Sequence, residues 1–464
     1  MRARQARKAH KVARVADVAG RSDQAWVPSR EDLLRARDRV GVRDARSGGH
    51  VVRLLILLIG PGILVMLGEN DGPSMLSYAV TGVSYGIGFF VPFILLTFVM
   101  AFVVQEMTVR LGAATHRGHA ELIFDRFGPF WGYFAMSDLV VGNILTLITE
   151  FIAIRAGAAY FGIPGWMAVA VGVGIVAVAM STRRYRTWER SVLLLALANL
   201  LFVPTALLAH PDYHALQRAL ITWQPIPGGA SLAFFTLIMA NIGATVTPWM
   251  LFFQQSATAD KGMTRADIPQ GRVDTALGAV LAAIAAVACL VTCAVLHQHG
   301  VQASQINGGA DFASALRPFI GSVGGSLFAL ALMEAGLVAA MTISTSSAYA
   351  FGEVFHRGHS LNLDFPQGSL FYATAIASTI LAAAVVLLPH APLIAITITV
   401  NVIATMLMAP ALLLLLLLSN DRAIVGSLAN TIGQNLVAGA IVVGITLVGA
   451  LYGLLTVFPH LLGT

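Results

Sequence analysis

The sequence predicts an all-α polytopic membrane protein, with eleven membrane-spanning helices arranged as a five-plus-five inverted repeat and one added helix. Three observations predict it. The composition is 57% hydrophobic and only 11% charged, with a mean hydropathy of +0.77, against roughly 25% charged residues in soluble domains. Apolar stretches recur at the length a helix needs to cross lipid, ~20 residues, and lack the ~10-residue alternation of barrel strands. Two of those stretches, the first and the sixth, are interrupted at their middles.

The stretches lie near 52–82, 87–111, 129–156, 163–182, 188–208, 229–257, 273–297, 320–351, 369–389, 391–418 and 432–458. Repeat one is expected over about 52–208, repeat two over about 229–418, and the extra helix over about 432–458. Fourteen Lys/Arg residues precede or include Arg53, and later basic residues fall in alternate loops, with Arg183, Arg184, Arg186 and Arg190 the densest group. By the positive-inside rule the amino terminus is cytoplasmic and, after an odd number of spans, the carboxyl terminus is outside the cell (inner) membrane. The net charge of +6 thus reflects topology and gives no sign of a nucleic-acid partner. Residues 1–51 read as a disordered basic cytoplasmic tail, with a capping box at Ser29 and Asp32 as the sign of one short helix. Cys289 and Cys293, one helical turn apart in the seventh span, read as small packing residues in preference to a two-thiolate metal site. The sequence does not fix an oligomeric state, and a monomer is compatible with it.

The interrupted segments carry the function. One runs Gly60-Pro61-Gly62 to Gly68-Glu69-Asn70-Asp71-Gly72-Pro73-Ser74, the other Asn241-Ile242-Gly243-Ala244-Thr245-Val246-Thr247-Pro248. A helix that stops inside lipid leaves backbone N–H and C=O groups that only protein, water or an ion can satisfy. Paired breaks at equivalent places in two halves point to a midplane transport site and a leucine-transporter-like fold.

At these residues the chain resembles the NRAMP superfamily of divalent metal transporters. That family's Asp-Pro-Gly-Asn break stands here as Asp71-Gly72-Pro73-Ser74, and its Met-Pro-His-Asn break as Thr247-Pro248-Trp249-Met250. Further matches are Gln105 with Arg110-Leu111-Gly112, Glu150, Phe161-Gly162-Ile163-Pro164, Arg183 to Arg186 with Glu189, Ser344 to Ser347, and Ser419 to Arg422. The resemblance implies a metal site at Asp71, Ser74, the Ala244 carbonyl and Thr247. The family's soft thioether has become the Thr247 hydroxyl, and an all-oxygen site suits Mg²⁺, Ca²⁺ or Mn²⁺. Met250 and Met75 are read as packing residues.

The family's proton pathway is also altered, because its two histidines and an aspartate stand here as Trp249, Gln254 and Leu147, none titratable near neutral pH. These departures match the NRAMP-related magnesium transporter branch. The expected function is uptake of Mg²⁺, with Mn²⁺ as a second substrate, by alternating access without protons; the alternative is a proton-coupled Mn²⁺/Fe²⁺ symporter. The expected partners are the divalent ion and the lipid bilayer, with no cofactor. Glu69 and Asn70, just before Asp71, are candidates for binding a hydrated ion. Glu150 is expected to pair with Arg155. Glu334 either lines an aqueous path or makes a buried hydrogen bond, and Asn401 stands near the position where the family offers a Gln. No nucleotide loop or nucleophile–base arrangement points to an enzyme.

Overall fold

The first apolar stretch is divided by a corner. The structure, a computed structural model, describes residues 30–226, 229–306, 309–388 and 393–458. Its chain opens with α1 (Arg30–Ser47) and α2 (Val51–Leu58), and only then enters the span as α3 (Pro61–Glu69) and α4 (Gly72–Tyr85). α2 exposes Val51, Val52 and Ile56 while burying Leu54 and Leu58, as a helix lying on a surface does. It meets α3 at 51°. The corner is made by Gly60, at φ 154° and ψ −68°, a backbone conformation open to glycine, followed by Pro61 in the first turn of α3. Tail residues Arg30–Ser47 are helical rather than disordered, and the candidate cap at Ser29 lies outside the described residues.

The remaining helices are α5 (Phe90–Thr115), α6 (His119–Phe127), α7 (Pro129–Tyr160), α8 (Gly165–Met180), α9 (Tyr185–Ala196), α10 (Phe202–Leu208), α11 (Tyr213–Ile221), α12 (Leu232–Gly243) and α13 (Pro248–Asp260), then α14 (Ile268–Gln298), α15 (Gly309–Val354), α16 (Ser369–Val386), α17 (Leu393–Asn420), α18 (Arg422–Val425) and α19 (Ile432–Val457). A 3₁₀ segment, Leu197–Leu201, joins α9 to α10, and α15 bends at Gly321. Among the described residues nine helices are long and apolar enough to cross a membrane, or ten if the α2–α3 pair counts as one. α8, at 16 residues, falls short of that length. The count of eleven is therefore not reproduced by length and composition alone, although every expected stretch contains helix.

The two broken spans sit at the centre. α14 lies along α3, α4 and α5, α15 lies along α7, and α12 lies along α17. Small residues let these backbones meet: a Cβ on Gly62 would fall 2.5 Å from the Thr275 amide, and one on Gly278 would fall 2.7 Å from Ile63 Cα. Asp274 on α14 accepts hydrogen bonds from Gly60, Gly62 and Ile63 N–H at 3.0, 2.7 and 3.3 Å, satisfying donors that the start of α3 leaves unpaired. α19 is peripheral, with Leu436, Val443 and Leu447 exposed.

The tightest crossing is at Gly243, where an added Cβ would stand 2.0 Å from the Asn401 carbonyl oxygen. Backbone cannot rotate away as a side chain can. Gly243→Ala is expected to push α12 from α17 and to destabilise by ~1–3 kcal/mol, read as a lower melting temperature of the purified protein in detergent.

α1 is fixed by charge as well as packing. Arg39 and Arg46 both pair with Asp267 at 2.5 Å, Arg35 reaches Asp260 at 3.2 Å, and Asp38 takes Arg186 at 3.2 Å. Val42 and Ala45 bury against Leu54, Leu58, Ala113, Met263 and Ile268.

Candidate metal centre between two broken helices

Each break is short and similarly built. α3 ends at Glu69, Asn70 and Asp71 cross the gap, and Asp71 is extended at φ −77° and ψ 177° before α4 begins. α12 ends at Gly243, and Thr247 is extended at φ −120° and ψ 155° before α13 begins. Both restarts place a proline in the first turn, where its missing N–H is no loss.

Two carboxylates serve the start of α4. Asp71 Oδ1 accepts from the Ser74 amide at 2.9 Å, and Glu150 Oε2, from α7, accepts from the Gly72 amide at 2.9 Å. Negative groups at a helix N-terminus are stabilised by its unpaired donors and dipole. Glu150 therefore belongs to the break and not to an ion pair: Arg155 donates to the Val386 carbonyl at 2.8 Å. Five residues along a helix turn a side chain roughly 140° away, so this expected pair could not share a face.

Side chains link one break to the other. Thr247 Oγ1 donates to Glu69 Oε2 at 2.8 Å, and Tyr78 Oη donates to the Ala244 carbonyl at 2.9 Å. The Met250 sulfur turns back to accept from the Thr247 amide at 3.4 Å. Asn70 Nδ2 donates to Ala282 O at 2.7 Å and to Asn199 Oδ1 at 3.1 Å, while Asn199 returns a bond to the Asn70 carbonyl at 3.0 Å. Asp71, Ser74, Ala244 and Thr247 are each at most 2% exposed, so water reaches the site from neither side in this state.

The site is rich in acceptors. Glu69 Oε1, Glu150 Oε1, Asn70 Oδ1 and Ser74 Oγ are buried without a partner, and buried polar atoms left in that condition call for an explanation. Glu69, Asp71 and Glu150 are close enough for their charges to repel. A cation among these oxygens answers both observations. Among the described residues no three His, Cys, Asp or Glu side chains converge as a ready-made chelate, which leaves one or two carboxylates with neutral oxygens as the chemistry on offer.

Other expected residues lie at greater remove. Trp249 packs its ring against Gly68 and accepts at its carbonyl from Ser346 at 3.1 Å. Gln254 donates to Thr275 at 2.8 Å and Asn401 donates to Ser77 Oγ at 2.9 Å. Glu334 neighbours Asn199 instead of the first break's carboxylates. The sequence reading missed Tyr78 and Asn199; Tyr78 stands one turn beyond Ser74 on the same helical face, and Asn199 is a lone amide in the apolar run Leu197–Leu201. Outside the spans, burial pushes the His119 imidazole down to about 4, partly opposed by its hydrogen bond with Gln255, so it is neutral at physiological pH.

The chain resembles known proteins in sequence and in fold. The model of the natural resistance-associated macrophage protein-like (Nramp) family matches residues 62–455. The divalent metal cation transporter MntH of Deinococcus radiodurans is 27% identical over 322 residues, covering 66% of this chain and 71% of that protein. The crystal structure of an Eremococcus coleocola manganese transporter superposes with a TM-score of 0.68 at 20% identity, over 86% of both chains. MhsT bound to L-phenylalanine shares the fold at a TM-score of 0.55 and 14% identity, over 85% of this chain and 97% of that one.

Proposed function

Because the chain belongs to the Nramp family, we propose that it carries divalent metal cations across the cell (inner) membrane by alternating access, with Mg²⁺ uptake as its main activity and Mn²⁺ as a second substrate. The observation that carries the Mg²⁺ reading is Thr247, which offers a hydroxyl at the second break and is tied at 2.8 Å to the Glu69 carboxylate. Asp71 is the main anionic ligand, assisted by Ser74, Thr247 and the Ala244 carbonyl, directly or through water. Such oxygens suit a hard ion that keeps part of its hydration. Glu69 stands close enough to join them.

The ion enters from outside, down its gradient and the membrane potential, which is worth about 2.3 kcal/mol per charge per 100 mV. α3, α4, α12 and α13 move against the other helices to open the buried site to either face. Trp249 and Gln254 hold the positions of the family's titratable groups, which supports transport without protons.

A second reading, proton-coupled Mn²⁺ or Fe²⁺ symport, draws on the named activity of the relatives and on the Met250 sulfur at the break. Uptake in proteoliposomes containing a lumenal pH dye, with each metal competing against the others, tests the choice. Inhibition of Mn²⁺ uptake by excess Mg²⁺ with a silent dye is the expected result; lumenal acidification and indifference to Mg²⁺ would establish the alternative. Thr247→Met is expected to raise Cd²⁺ and Mn²⁺ uptake relative to Mg²⁺ by roughly tenfold, because a thioether favours softer ions. The same competition assay measures the ratio.

A further inference from the structure

A carboxylate outside the metal centre has Asn199 as its polar neighbour. Glu334 lies in the apolar run Leu332-Met333-Glu334-Ala335 of α15, is 5% exposed, and has neither oxygen hydrogen-bonded. A carboxyl group buried that way in a membrane protein is costly and marks a candidate functional position. On α15 it lies eight residues, about 12 Å of helix, from Thr342, the residue that faces Gly68.

Asn199 connects the two places. It neighbours Glu334 on one side and exchanges two hydrogen bonds with Asn70 on the other. Its 3₁₀ segment interrupts the fifth span beside α15. The Asn70 side-chain oxygen is itself unpartnered, so the two residues that Asn199 joins carry three unsatisfied acceptors: two on Glu334 and one on Asn70. A single proton serves one of them, whereas a metal cation is held by several oxygens at once. One negative charge with neutral amides balances a single positive charge.

We propose that Glu334, Asn199 and Asn70 form a second cation position that takes an alkali-metal ion such as Na⁺, and that Asn70 couples its occupancy to the Asp71 site. The co-ion role rests on the transport reading above. Asn70 belongs to the backbone break that carries Asp71, so an ion drawing on the Asn70 amide alters the geometry Asp71 offers the divalent ion.

Two measurements test this on the full chain. In detergent without divalent metal, NaCl in place of choline chloride is expected to raise the melting temperature saturably, and Glu334→Gln to remove that rise while melting like the parent protein in choline. In proteoliposomes, a Na⁺ gradient is expected to accelerate Mn²⁺ uptake several-fold in the parent protein, with uptake by Glu334→Gln fixed at its choline rate. A parent protein indifferent to Na⁺, or a variant that keeps the response, overturns the proposal. A response to pH that ignores Na⁺ and disappears in Glu334→Gln overturns it in favour of a proton. A Na⁺-dependent melting shift lost in Glu334→Gln, found where no divalent ion is transported, upholds the site and defeats the transport reading instead.

Discussion

Asp71→Asn is expected to abolish divalent-cation uptake in proteoliposomes while the purified protein melts like the parent. The two effects separate because Asp71 has two roles. As the residue capping α4 it accepts the Ser74 amide at 2.9 Å, and asparagine caps about as well as aspartate. As a ligand it supplies the main negative charge at the proposed site, which an amide does not. Opposite charges in contact at an effective dielectric of about 20 are worth several kcal/mol, and every 1.4 kcal/mol is about tenfold in affinity. A loss beyond tenfold is therefore expected even with Glu69 and Glu150 nearby. Asp71→Ala removes the cap as well, adding ~1 kcal/mol of destabilisation. Uptake by Asp71→Asn at the parent rate would refute the ligand assignment.

Lys261→Ala is expected to produce the largest loss of stability of any single change considered. Lys261 closes the end of α13 and pairs with Glu189 of α9 at 2.9 Å, with the two side chains only 2% and 4% exposed. Its ammonium also donates to the Ile59 carbonyl at 2.8 Å, at the corner between α2 and α3. Removing it leaves a buried carboxylate with only the Tyr185 hydroxyl donating to it and an unpaired carbonyl, a loss of ~3–5 kcal/mol. Replacing both partners by apolar residues of similar size, as in Glu189→Leu with Lys261→Met, is expected to recover most of that loss, since it removes the stranded charge. Thermal unfolding of the three proteins in one detergent makes the comparison. A single variant as stable as the parent would show that the pair contributes nothing.

Much of the fold was legible because lipid imposes strong rules on a sequence. Apolar stretches gave the helices, and Gly60-Pro61, Asp71-Gly72-Pro73 and Thr247-Pro248 marked where they stop and restart. Hydropathy was blind to direction, so the apolar run 51–58 merged with the first span although Gly60 turns it aside by 51°. Interactions distant in sequence were harder still. Arg39 and Asp267 are 228 positions apart, and no periodicity connects them, so the charges before residue 52 were read as solvated.

At the proposed metal centre, Asp71, Ser74, Ala244 and Thr247 were nominated by the family resemblance at the two breaks. The role of Glu69 was undervalued because its partner, Thr247, belongs to the other repeat. Glu150 was recognised as important but given to Arg155, its neighbour in sequence, when its partner is the Gly72 amide. Tyr78 was passed over because a tyrosine in an apolar helix usually packs; its hydroxyl reaches a carbonyl exposed only by the break in α12.

The docking of α1 bears on where this protein can be cut. Asp267 is fully buried, and Arg39 and Arg46 supply the positive charges beside it. A shortened chain beginning at residue 52 would keep every apolar helix yet leave that aspartate without either arginine, and would uncover Leu54, Leu58 and Ile268. Salt would mimic only part of the injury, because these pairs are part-buried and mobile ions screen such pairs less than exposed ones. Tags and fusions therefore belong ahead of Arg30, and a protein trimmed to its hydropathy profile would be an impaired version of the whole.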